Sequence, residues 1–213
     1  TERTGDETPL DFASAVARLG DPASRDQVAR VTLRHLGRHL ELCALFTVQG
    51  DVLEGWRGRG PGSDVVPQLH LTIEPDSAFR VVLDTGAHYL GPFAENEAHA
   101  RFLTSLRREH PRNVLIAPLR LQERTVALLY ADNGALEIPH RVASEAMVFV
   151  NHVQSAMLRL VLRRKAASFE DLPPTEPPRP APVEDASPRP HPMEGPEDTL
   201  GPDTVEMPIR ELE

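Results

Sequence analysis

The sequence predicts an α+β domain: a central, mostly antiparallel sheet with helices on both sides, a long C-terminal helix, and then an acidic, proline-rich tail. Three observations predict it. The apolar period switches from helical to strand-like and back along residues 10–162. Two nearly continuous apolar runs near residues 113–132 read as central strands covered on both faces. Composition and charge both change close to residue 168. Of the 21 prolines, twelve lie in residues 169–213, where little could form a core.

The elements follow in order. Residues 1–8 are polar, and residues 9–166 hold the domain. Over 9–19, Phe12, Val16 and Leu19 share one helical face, ended by Gly20, Asp21 and Pro22. Ser24 is a suitable N-cap for a second helix to about residue 39, with Val28, Val31, Leu36 and Leu40 as its buried stripe. Residues 42–49 and 52–57 read as a hairpin turning at Gly50 and Asp51, followed by a flexible loop at 57–64. Residues 68–73 alternate as a strand. Pro75 opens a short helix that Gly86 ends, 88–90 is a brief extended piece, and 94–109 has helical composition with a thin apolar face. Strands at 113–121 and 125–132 follow.

The last helix is expected over 139–165. Its positions Val142, Ala146, Phe149, Val153, Ala156 and Leu160 step by four and three, a heptad seam. Met147, Val150, Met157 and Val161 form a second apolar face. One sheet cannot cover both, so the seam is expected to pair two chains as a parallel homodimer. Residues 167–213 are expected to be a disordered linker or tail.

Charge narrows the partners. Residues 1–168 carry 20 basic and 20 acidic side chains, and residues 169–213 carry 3 and 12, so the net charge of −9 lies in the tail. A balanced domain with an anionic tail offers no positive field for nucleic acid or anionic membranes, and neither is expected as a partner. No run reaches the roughly 18–20 apolar residues of a membrane-spanning helix. The single cysteine, Cys43, fits a reducing compartment, and a cytoplasmic location is expected. The sequence opens at Thr1, as expected of a processed chain or a piece of a longer one.

Chemistry-bearing residues are sparse. His35 and His39 have the i, i+4 spacing of metal ligands but lack a third. They are expected on the solvent flank of their helix, and no metal or cofactor is expected. The glycines and arginines of 57–64 could cradle an anion, but the Lys-Ser/Thr ending of a phosphate-binding loop is missing. No nucleophile stands beside a base, so no catalytic residue is expected. Thr199 and Thr204 lie in acidic surroundings, where phosphorylation would create a docking point for other signalling proteins.

Residues 53–60 (LEGWRGRG), 89–92 (YLGP), 114–121 (VLIAPLRL) and 126–133 (VALLYADN), in this order, resemble the GAF domain of bacterial signalling proteins. The likeness covers about residues 10–165. It implies a regulatory or sensory module beside kinase, forkhead-associated or response-regulator partners. It also implies a ligand pocket between the sheet and the helices crossing it, lined here by Trp56, Leu71, Phe79, Tyr89, Phe93 and Tyr130. The family's cyclic-nucleotide constellation has no counterpart, and Cys43 is in the first strand, away from the late cysteine to which photoreceptor relatives tether a bilin.

Overall fold

The structure, a computed structural model, describes residues 8–170, with side chains described to residue 167. The tail, including Thr199 and Thr204, lies outside the described residues. The helices are α1 (Phe12–Gly20), α2 (Arg25–Leu36), α3 (Ala78–Thr85), α4 (Glu97–Ser105) and α5 (His140–Glu170). The strands are β1 (Leu42–Gln49), β2 (Val52–Arg59), β3 (His70–Thr72), β4 (Tyr89–Gly91), β5 (Val114–Leu121) and β6 (Arg124–Asp132).

All six strands join one sheet in the order β3-β2-β1-β6-β5-β4, and every pairing is antiparallel. Successive strand side chains face opposite ways, so the continuous apolar runs feed two cores. Cys43, Leu45, Leu115, Ala117, Leu119, Ala127, Leu129 and Ala131 meet α1, α2 and α5. Leu42, Ala44, Phe46, Val114, Ile116, Leu128 and Tyr130 meet α3 and α4. The fold is the predicted one, a central antiparallel sheet with helices on both sides and a long terminal helix.

Side-chain caps move several element ends. Asp11 accepts from Ser14 N–H, so α1 opens at Phe12. Ser77 accepts from Arg80 N–H and starts α3 at Ala78, after Pro75. Asn96 caps α4 through His99 N–H, and the chain leaves that helix at Arg107, whose φ is 52°. Each cap satisfies an N–H that the first helical turn leaves unpaired.

The stretch expected as a loop at 57–64 is instead the end of β2 and a turn into a 3-10 helix over Ser63–Gln68. The glycines explain this. A Cβ on Gly55 would lie 1.6 Å from the carbonyl oxygen of Val66, so glycine lets the 3-10 helix lie directly on the strand. Leu45 and Phe46 of β1 face Arg57 and Gly55 of β2, so β2 carries one extra residue, Trp56, with no opposite partner. Such a bulge re-aims a side chain and bends the strand.

Two clefts on opposite faces of the sheet

Five of the six expected pocket residues gather on the α3/α4 face. Phe79, Phe93 and Tyr130 are buried, with Leu71 and Tyr89 at the cluster's margin. Phe102 of α4 is their centre, with ring centroids 4.5 Å from Phe79 and 5.0 Å from Tyr130. Phe102 does not stand out in the sequence, because α4 shows only a thin apolar stripe. His99 stacks on Phe93 at 4.1 Å. Its Nε2 accepts from Ala78 N–H and its Nδ1 donates to the Ala94 carbonyl, tying α4 to the start of α3.

Beside this cluster a cleft of about 430 Å³ opens between β3 and α4. Leu71 and Phe79 line it with Leu53 and Phe102, and its polar groups include His70, Glu74, Ser77 and Arg101. Arg101 and Glu74 pair at 3.3 Å. Ser77 donates to the Glu74 carbonyl while capping α3, so its hydroxyl is already engaged. Tyr89, Phe93 and Tyr130 do not line this cleft.

Tyr130 belongs to a buried polar network at the end of the sheet. Its hydroxyl donates to Asp132 Oδ2 at 2.9 Å, and Gly134 N–H donates to Oδ1. Arg108 bonds both Asp132 and Glu41. Burial first, and then the Asp132 carboxylate, push the Tyr130 hydroxyl well above the usual tyrosine range.

Trp56 is on the other face, a correction to the single-pocket expectation. Its neighbour Leu53 turns toward the α3/α4 core, and three residues along a strand reverse the side. The indole N–H donates to Asp26 Oδ1 at 3.1 Å, and the Arg25 guanidinium sits 4.8 Å over the ring. Here a second cleft, about 500 Å³, lies between β1, β2, the start of β6 and the C-terminal half of α5.

The expected dimer seam is used within the chain. Ala146, Phe149, Val153 and Ala156 are buried in the α1/α2/α5 core, and Val142 and Leu160 pack against it. The apolar side chains that α5 leaves exposed are Val148, Leu158, Val161 and Leu162, between 37% and 56% accessible. His35 also departs from expectation, being 1% exposed. Its Nδ1 donates to the Leu10 carbonyl, its ring lies 4.2 Å from that of Phe149, and Glu145 is 3.7 Å from its Nε2. Burial lowers its pKa below the ordinary value of 6.5. Among the described residues, no group of three or more His, Cys, Asp or Glu side chains is placed to hold a metal ion, and no helix is long and apolar enough to cross a membrane.

A six-stranded antiparallel sheet with helices on both faces and a long terminal helix defines an α+β domain of one sheet between two helical layers. The fold is that of GAF domains. A GAF/HD domain protein from Geobacter sulfurreducens is similar with a TM-score of 0.52 at 16% identity, over 69% of this chain and 98% of that one. The GAF domain of a phosphoenolpyruvate-protein phosphotransferase from Coxiella burnetii gives 0.57 at 14%, over 73% and 94%. The phycoerythrobilin-bound GAF domain of a cyanobacterial phytochrome gives 0.57 at 9%, over 71% and 97%. At these identities the likeness is one of fold. No protein-family profile and no curated protein matches the chain.

Proposed function

We propose that this chain is a non-catalytic regulatory module that pairs with a second copy through the exposed face of α5. One observation carries the reading. Val148, Asn151, Ser155, Leu158 and Leu162 step by three and four along the solvent side of α5, and all are exposed. This is a second heptad seam, opposite the one spent on the chain's own core. Asn151 within it would fix the register of a parallel pair at some cost in stability. The non-catalytic part rests on the titratable groups. His35, His99, Tyr130 and Asp132 are each engaged in structural hydrogen bonds. Light scattering tests the pairing: the unaltered chain should run as a dimer, and Leu158→Glu with Leu162→Glu as a folded monomer. An unaltered chain that stays monomeric at high micromolar concentration would sink the reading.

A second reading has its own support. The cleft between β3 and α4, at about 430 Å³, is within the size range of small-molecule sites, and the GAF fold suits a sensor. Native mass spectrometry of protein from its own host would retain a ligand's extra mass in that case. Substitution Leu71→Arg should then release it.

A further inference from the structure

Asn133 and Gly134 form the turn that leaves β6 at Asp132. Asn133 is the only asparagine of the chain followed by glycine, the pair in which the next main-chain nitrogen is least hindered, because glycine has no Cβ. Gly134 turns the chain with a φ of 56°, in the left-handed region that glycine favours. In an open chain this pair reacts with itself. The Gly134 nitrogen attacks the Asn133 side-chain carbonyl, the Gly134 N–Cγ bond forms, the Cγ–Nδ2 bond breaks, and ammonia leaves with the main-chain amide proton. Water then opens the cyclic imide at one carbonyl or the other, giving aspartate or its isoaspartyl isomer.

In the fold both reacting groups are held. Gly134 N–H donates to Asp132 Oδ1 at 2.8 Å, and Asn133 Oδ1 accepts from Glu41 N–H at 2.9 Å. The main-chain carbonyls are held too, that of Asn133 by Leu136 N–H and that of Gly134 by Arg112 N–H. Ring closure rotates the Asn133 side chain and the Asn133–Gly134 peptide together, so these bonds must break first. Asp132 is itself wholly buried and fixed by Arg108 and the Tyr130 hydroxyl. The turn is partly exposed, so water reaches it, and the hydrogen bonds rather than burial withhold the reaction. We propose that Asn133 is a latent deamidation site, held shut by the Asp132–Arg108 network and released when the turn between β6 and α5 opens. The isoaspartyl product carries one more main-chain carbon, which displaces Gly134 from its bonds to Asp132 and Arg112, so a single opening leaves a lasting chemical mark. The site uses neither cleft and stands independently of α5 pairing.

Peptide mapping by mass spectrometry tests this on the full chain, incubated folded and in guanidinium chloride side by side in the same mildly alkaline buffer. Asn133 should show the amide-to-acid mass gain in denaturant, and should convert about tenfold or more slowly in the folded chain, where reaction waits on local opening. Asp132→Ala should speed conversion in the folded state well beyond Phe149→Ala, which weakens the core at least as much without touching the turn. Circular dichroism establishes that each variant is folded during the incubation. If Asp132→Ala does not fold, Glu41→Ala, which removes one carboxylate from Arg108 and leaves Asp132 in place, makes the same comparison. The proposal is overturned if folding slows conversion by less than that factor, or if the turn variant converts no faster than Phe149→Ala.

Discussion

Three side chains illustrate how burial sets behaviour at the residue scale. His35 is the clearest. Its folded pKa is depressed because burial disfavours the imidazolium. Below about pH 6.5 the unfolded chain therefore binds the extra proton first, and stability must fall as pH drops from that value toward the folded pKa. Urea midpoints measured between pH 7.5 and 5.5 should decline, and His35→Gln should flatten that slope. Asp132 is wholly buried under Arg108 and the Tyr130 hydroxyl. Asp132→Ala would leave the buried Tyr130 hydroxyl without its acceptor and Arg108 with Glu41 alone, and should cost about 3 kcal/mol in chemical denaturation. Cys43 is fully buried, and burial pushes its thiol far above the ordinary range. It should resist a thiol reagent such as DTNB until the chain unfolds. The sequence told little of this, because i, i+4 histidine spacing fits a solvent flank as well as a helix interface, and Leu10 and Phe149 decide between them only once folded. The side of Trp56 was legible, since it stands an odd number of residues from Leu53.

At the scale of elements, caps and periodicity were informative, and the identity of the covering surface was not. Strand β1 and the Ser24 cap were readable because each rests on local chemistry. The terminal seam was readable as a face, but a 3.6-residue period says only that something apolar covers it. Helices α1 and α2 with the sheet cover it here, through Phe12, Leu19 and Val28 among others. Substitutions separate the two faces of α5. Phe149→Ala removes a ring with 0% exposure and should cost about 3–5 kcal/mol. Leu162→Ala, at 56% exposure, should change the intrinsic stability of the single chain by about 0.5 kcal/mol or less. Thermal unfolding of both variants at low micromolar concentration measures the contrast. The 57–64 stretch misled because its glycines read as looseness, whereas Gly55 and Gly58 admit the 3-10 helix onto β2.

For the whole molecule, the α+β layout followed from sequence because the apolar runs at 42–49, 113–121 and 125–132 are long and bounded by turns. The strand order could not, since it depends on which edges meet after collapse. What remains distinctive is a sheet buried on both faces, with a cleft against either face, and a helix whose outer side repeats a heptad. Cysteine cross-linking reads out pairing along that outer side. With Cys43 buried, single substitutions Ser155→Cys and Leu162→Cys place a thiol on the outer seam, and Val153→Cys places one on the inner. Mild oxidation of the folded protein should give covalent dimers at 155 and 162 and none at 153. Chains that stay monomeric at both outer positions, or link no faster than a surface cysteine on α4, would rule out pairing along the outer seam.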